Sequence, residues 1–248
     1  MTIKAHAKIN TFLKITGHQN GYHTLLSRFI KVPHLYDTIS FVPEKCENFT
    51  IEGCGDVSVE SNTIYKTYRA MNSDTDFFKH HKVVVEKHIP TGAGLGGGSS
   101  DAGAFMRLFN EVCELGIDTP TLAKMGSTVG ADIPFFVYDY DAANVSGFGE
   151  VVEEFQDEAF EIELFMPDIH CDTPLVYKTF KKYLFDDIEP TVFEEWEHLT
   201  TREVLSQVDA LGANDLYRAS LIAYPQLKEV SKEGWYFSGS GSTFFKIK

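Results

Sequence analysis

Three groups of residues in this chain have the types and spacing to do chemistry: a run of glycines, a lysine and asparagine in a strand pattern, and an aspartate after a glycine turn. The run is Pro90-Thr91-Gly92-Ala93-Gly94-Leu95-Gly96-Gly97-Gly98-Ser99-Ser100-Asp101. Glycines let a backbone approach a bulky group closely and turn its N–H donors toward it. Before the run, Lys82–Ile89 with Val83, Val84 and Val85 reads as a buried strand. After it, Ala102, Phe105, Met106, Phe109, Val112 and Cys113 recur at helical spacing, and Gly116 ends the pattern. Strand, glycine loop and helix in that order place free N–H groups and the positive end of a helix dipole where an anion would sit. The anion these features suit best is a phosphate.

Other glycine loops fit less well. Gly92-x-Gly94-x-x-Gly97 matches the dinucleotide fingerprint formally, but that fold needs a second strand ending in an acidic residue about 20 residues on. The chain offers Asp118-Thr119-Pro120 there, a helix start. A Walker A loop is excluded because no Gly-Lys pair occurs. A plain flexible turn is the simplest alternative, and the tight placement between strand and helix speaks against it.

In Ile3–Ile15, Ala5, Ala7 and Ile9 alternate with Lys4, His6, Lys8 and Asn10, which is a strand pattern with one packed face. Lys8 and Asn10 then point the same way, either toward a site or, from an edge strand, toward solvent. Asp132 lies in Gly130-Ala131-Asp132-Ile133-Pro134, ahead of an apolar run. A carboxylate so placed is poorly solvated and needs a partner, although a turn or capping aspartate is the commoner case. Asn20-Gly21 signals a turn into Tyr22-His23 and on to Phe29, where an exposed Tyr-His pair could be surface decoration.

The elements that must position these residues follow from the same patterns. Asp37–Val42 and Phe49–Glu52 read as strands, and Asn62 as the N-cap of a helix carrying Ile64, Tyr68 and Met71. Thr119-Pro120 begins a further helix, and Ala142–Val145 with Glu150–Glu153 reads as a hairpin around Gly147-Phe148-Gly149. Composition shifts at Gln156-Asp157-Glu158, an acidic loop taken as a domain boundary. Beyond it come a strand at Ile162–Met166, a helix opened by Thr173-Pro174 with Val176, Tyr177 and Phe180, and an acidic stretch Asp186–Glu197, including Trp196, expected to be solvated. Helices are expected near Arg202–Asp209, Asp215–Ala223 and Pro225–Lys232, then two aromatic strands around Ser238-Gly239-Ser240-Gly241-Ser242-Thr243.

With 248 residues the chain can bury a substantial core, and its net charge of −14 argues against nucleic-acid or anionic-membrane partners. A phosphate site must therefore be made locally. Cys46, Cys54, Cys113 and Cys171 show no metal or redox spacing and read as reduced thiols of a cytoplasmic protein. The first residues carry no apolar signal-peptide core, and no apolar run is long enough to span a bilayer.

The glycine run resembles the second motif of the GHMP kinases, a family of small-molecule kinases. Ala7-Lys8-Ile9-Asn10-x-x-Leu13 resembles the first motif, Ser238–Thr243 the third, and Gly130-Ala131-Asp132-x-Pro134 the aspartate motif. Gly21-Tyr22-His23-x-Leu25 resembles the branch whose substrate is a cytidyl diphosphate-linked methylerythritol, an intermediate of non-mevalonate isoprenoid synthesis. His18-Gln19-Asn20 departs from that branch, which usually has an arginine and an aspartate there.

The resemblance implies ATP-dependent phosphorylation of that compound's 2-hydroxyl. Asp132 would be the base, with Lys8 keeping it ionised and offsetting charge on the transferred group. Residues Pro90 to Ser100 would hold ATP with Mg²⁺, and the Asn62 turn would lie near the adenosine. Asn10, Tyr22, His23, Phe29, Asp132 and Tyr177 would face the substrate, Tyr177 by stacking on the cytosine. The implied fold is α+β in two lobes, residues 1–153 resembling ribosomal protein S5 domain 2 and residues 154–248 ferredoxin-like, in a monomer or weak homodimer. A mevalonate- or homoserine-type kinase and a catalytically silent, ligand-sensing relative share most of the motifs; the former would not require Tyr22-His23 or Tyr177.

Overall fold

The computed structural model describes residues 1–19, 21–55, 57–185 and 194–248. The alternating pattern at the N-terminus produces two long paired strands, β1 (Thr2–Gln19) and β2 (Tyr22–Pro43). Of the expected turn between them, Asn20 lies outside the described residues, while Gly21 has φ +88°, a conformation glycine adopts without a Cβ clash. Both strands run through two compact units. One comprises Met1–Ala7, Val32–Pro90 and Gly96–Tyr140; the other comprises Lys8–Lys31, Thr91–Leu95 and Asp141–Lys248. The units therefore interleave along the chain.

The first unit adds β3 (Ile51–Glu52), α1 (Thr63–Met71), β4 (His81–Glu86), α2 (Gly97–Val112), α3 (Thr119–Ser127) and α4 (Ile133–Tyr138). The later half of β2 pairs antiparallel with β4, Ile39 opposite Val85 and Phe41 opposite Val83, and β3 joins β4 in parallel. Residues two apart on a strand share a face, so Ile39, Phe41, Val83 and Val85 form one apolar surface. Phe78, Phe105, Met106, Phe109 and Leu122 complete that core. The Asn62 carboxamide accepts from Ile64 N at 2.9 Å, the expected cap. The cap of α3 is Asp118, one residue before the expected start, with Pro120 in the first turn. Gly103 of α2 lets α4 approach, since a Cβ there would lie 2.6 Å from Phe136 Cβ.

The second unit adds β5 (Ala142–Gly147), β6 (Val151–Glu154), β7 (Ile162–Phe165), α5 (Thr173–Tyr183), α6 (Thr201–Gln207), α7 (Ala210–Ala213), α8 (Asp215–Ala223), α9 (Leu227–Val230), β8 (Tyr236–Phe237) and β9 (Phe244–Ile247). The earlier half of β2 pairs with β5, and β5 with β6; a separate sheet has the order β7-β9-β8, and all these pairs are antiparallel. Leu13, Ile15 and Leu25 pack with Val176 and Phe180 of α5 and with Leu216 and Ala219 of α8. β7 stops at Phe165, leaving Met166 exposed.

Trp196 corrects an expectation. It is buried against Phe12, with ring centroids 5.4 Å apart, rather than solvated with its acidic neighbours. The cause is Arg28, which is wholly buried. Its guanidinium donates to the carbonyls of Trp196 (2.9 Å), Glu197 (3.2 Å) and Leu199 (2.6 Å), and its Nε donates to Asn144 Oδ1. A buried cation is tolerated only when its donors are taken up in this way, so the segment is drawn onto it. Residues 186–193 of the same stretch lie outside the described residues.

Candidate active site

In the second unit, the polar face of β1 is covered rather than solvated. Lys8 and Asn10 are buried. Lys8 N donates to Leu95 O at 3.0 Å, and its ammonium contacts the Asn10 side-chain oxygen and Gly94 O at 3.4 Å. Phe29 lies beneath, its ring centroid 4.4 Å from Lys8 Nζ. Asn10 N donates to Ser238 Oγ at 3.1 Å. The edge-strand alternative is thereby set aside: the covering groups are the glycine loop and the turn before β9.

That loop is fixed through its carbonyls. Gly92 O accepts from Cys171 N, Ala93 O from Thr243 N, Gly94 O from Ser238 Oγ, and Leu95 O from Lys8 N, at 3.0 to 3.2 Å. Gly92, Gly94 and Gly96 all have φ between +71° and +75°, and between them Ala93 and Leu95 are buried. Left-handed glycines alternating with buried side chains make the turn while anchoring it. Pro90 and Thr91 are exposed. The turn Ser238–Thr243 is itself held, because the Asn214 carboxamide donates to Phe237 O and Gly239 O, both at 2.9 Å.

In the first unit the loop continues into α2, whose N-cap is Gly96 without a side-chain cap. The N–H groups of Gly97, Gly98 and Ser99 open the helix and have no intrahelical acceptor. Ser100 is buried, its hydroxyl donating to His6 O at 2.6 Å. The α1 start meets the α2 start, with Thr63 Oγ1 donating to Gly98 O at 2.9 Å. Asn62 is thus brought beside the glycine-rich helix start, its own carboxamide oxygen engaged in capping. Asp132 precedes α4, is partly exposed, and makes no cap hydrogen bond to that helix. The preceding Gly130 lies by the same helix start, where a Cβ would sit 3.9 Å from Ser99 Oγ. Asp132 thus holds the N-cap position of α4 without a side-chain cap hydrogen bond, so capping does not account for its carboxylate.

Tyr22 and His23 separate, as neighbours on a strand must. Tyr22 is 70% exposed, with Phe148 at 5.9 Å, while His23 is buried. His23 lies nearly parallel to Tyr177 with centroids 5.8 Å apart, and Phe180, Phe185 and His18 complete an aromatic cluster. Burial first, then His18 and Lys181, hold the His23 pKa below the usual imidazole range. His23 and Tyr177 are thus brought together and Tyr22 is not. No group of three or more His, Cys, Asp or Glu side chains able to hold a metal occurs among the described residues. No described helix is long and apolar enough to cross a membrane.

Sequence reading missed Asp37 and Lys87. Asp37 is wholly buried, accepting from His88 N and Ile89 N at 2.5 and 2.8 Å, and Lys87 Nζ sits 2.5 Å from its other oxygen. One signal was present: Asp37 is in phase with Ile39 and Phe41, so its carboxylate belongs to the packed face of β2.

Comparison with known proteins supplies the family. Residues 62–140 match the model of the GHMP kinases N terminal domain. A 4-diphosphocytidyl-2-C-methyl-D-erythritol kinase from Sulfurovum sp. (strain NBC37-1) is 56% identical over 100% of this chain and 99% of its own length. One of the same name from Sulfurimonas denitrificans is 45% identical over 99% and 96%. Among solved structures, a 4-(cytidine 5'-diphospho)-2C-methyl-D-erythritol kinase aligns with TM-score 0.74 and 28% identity over 99% of this chain and 89% of that one. A mevalonate kinase aligns with TM-score 0.69 at 14% identity, over 100% and 91%, a likeness of fold.

Proposed function

The chain belongs to the 4-diphosphocytidyl-2-C-methyl-D-erythritol kinases, a branch of the GHMP kinases, and we propose that it transfers the γ-phosphoryl group of ATP to the 2-hydroxyl of that cytidyl compound. The observation that carries this reading is the 56% identity along the entire chain to a protein of that name. A glycine loop anchored by its carbonyls at the start of a helix supports it.

In this reading the amides of Gly94–Ser100 hold the ATP phosphates, with the Asn62 turn beside the nucleoside. The substrate hydroxyl oxygen bonds to the γ-phosphorus, the bond to the ADP oxygen breaks, and the hydroxyl proton passes to the Asp132 carboxylate. Lys8, desolvated over the Phe29 ring, offsets the negative charge that develops on the transferred group. Mg²⁺ would supply further neutralisation of the phosphate charge, a role that needs only one or two protein carboxylates. The 2-hydroxyl is on a methyl-bearing carbon and is hindered, so alignment matters more than nucleophile strength. Asn10 helps orient Lys8. Tyr177 and His23 take the cytosine by stacking and edge contact, and Tyr22 contributes from the opposite face of β2.

Residues 1–153 carry the ATP side of this reading and residues 154–248 contribute Tyr177 to the substrate side. In this reading the reaction takes place in the cytoplasm. A coupled ADP-release assay tests it across an acceptor panel containing the cytidyl compound, the same methylerythritol phosphate without the cytidyl group, mevalonate and homoserine. ADP release is expected with the first alone. Equal release with mevalonate or homoserine would favour another GHMP activity, and none with any acceptor would favour a silent relative.

A further inference from the structure

We infer that Asp37 is a positioning residue for the phosphate-binding loop, acting through Lys87 and the His88 and Ile89 amides without touching the nucleotide. The inference rests on the ATP-binding reading above. It starts from geometry within the first unit. Asp37 is 0% exposed, and its carboxylate accepts from two backbone amides and the Lys87 ammonium while also neighbouring the Asp101 carboxyl. One oxygen takes the two consecutive amides just after β4, where the chain leaves the sheet for the loop. The other takes the ammonium of Lys87.

Lys87 carries the connection across the loop. Its Nζ also lies 2.7 Å from Asp101 Oδ2, and Asp101 is the fifth residue of α2. A Cβ added at Gly97 would lie 3.5 Å from the same nitrogen, so the ammonium sits beneath the first turn of the helix. One carboxylate thereby fixes the segment entering the loop, His88 and Ile89, and through one cation the helix that leaves it.

Burying a carboxylate carries a desolvation cost that an apolar residue in phase with Ile39 and Phe41 would not incur. The pair also cannot be explained by helix capping, since Gly96 holds the N-cap position. Its effect is to set the spacing between the two ends of Pro90–Gly96. Amide donors aimed at phosphate lose much of their value when displaced by about 1 Å.

The test uses three variants of the full chain: Asp37→Asn, Lys87→Met and the double substitution. Asp37→Asn keeps the shape, so the buried site remains filled, and Lys87 has a side chain 27% exposed, so its replacement leaves the core intact. KM for ATP, KM for the cytidyl substrate, kcat and melting temperature are measured for each. Each single variant is expected to raise the KM for ATP roughly tenfold and to change that for the cytidyl substrate by less than about twofold. The double variant is expected to do no worse than the more affected single, because both break one chain of contacts. Three results would each overturn the inference: a lowered melting temperature with both KM values unchanged, equal rises in both KM values, or fully additive effects. A wild-type chain that releases no ADP would defeat the ATP reading itself, a separate outcome visible before any variant is made.

Discussion

Gly94→Ala adds one methyl where the structure leaves no room for it. Gly94 has φ +75°, and an L-residue there costs roughly 1–2 kcal/mol in local strain. The new Cβ would overlap the Ser238 carbonyl oxygen and lie 2.9 Å from Gly241 O and 3.0 Å from Gly241 N. These are backbone atoms of a turn held by Asn214, so no side chain can swing aside. Overpacking of this kind costs about 1–3 kcal/mol. The sum, roughly 2–5 kcal/mol, is a large part of a typical total stability of about 5–15 kcal/mol. At about 2–4 °C per kcal/mol for a protein of this size, the melting temperature should fall by roughly 4–20 °C. If the loop instead moves off the turn, part of that loss is recovered and ATP affinity falls. Thermal unfolding and calorimetric titration with a non-hydrolysable ATP analogue together capture both responses. Gly116→Ala is the control: its φ is +65° but nothing lies within 4 Å of the added Cβ, so it incurs strain alone. A Gly94→Ala protein with wild-type melting temperature and ATP affinity would refute the packing of loop on turn, as would equal losses in the two variants.

Other perturbations probe separate parts of the account. Asp132→Asn keeps the shape but cannot take a proton, and turnover should fall by on the order of 10²-fold or more with little change in ATP affinity; near-normal turnover removes Asp132 from the mechanism. Tyr177→Ala should raise the KM for the cytidyl substrate roughly tenfold to a hundredfold, from a stacking worth of about 1–3 kcal/mol, while Tyr177→Phe should be nearly silent. An unchanged KM in the Ala variant would make Tyr177 a packing residue. Burial pushes the Asp101 pKa up to about 7 against the opposing pull of Lys87, so the folded state holds a proton that the unfolded state has lost. Its contribution therefore falls as pH rises from about 4 to about 7 and is level above, by about 4 kcal/mol at most. Asp101→Asn should remove that slope from melting curves recorded across pH, and an unaltered slope would show that Asp101 is not its source.

How much of this was legible in the sequence depended on whether the signal was local. The glycine loop, its strand and its helix follow from periodicity, and α1 begins where Asn62 caps it. The hairpin of β5 and β6 was also readable from its glycine turn. What is set by distant chain was not. The burial of Lys8 and Asn10 depends on a turn some 230 residues later in the chain, through Asn10 N and Ser238 Oγ. Trp196 is buried because Arg28 takes the carbonyls around it, and nothing in an acidic stretch announces that. Tyr22 and His23 look like a pair in the sequence, although strand geometry places adjacent side chains on opposite faces. Asp37 and Arg28 show the signal that was available: each is a charged residue in phase with apolar neighbours on β2, Asp37 with Ile39 and Phe41, Arg28 with Leu26 and Ile30.

The central claim is the transfer of a phosphoryl group to one hydroxyl of a cytidyl-linked methylerythritol. Phosphorus NMR of the product made by the purified chain from ATP, Mg²⁺ and the carbon-labelled cytidyl compound tests it most directly. The expected result is one new phosphomonoester resonance, formed in step with ADP and coupled to the methyl-bearing carbon, with the diphosphate linkage intact. A phosphomonoester on another carbon, or an unchanged cytidyl compound in the presence of excess ATP and chain, would contradict it.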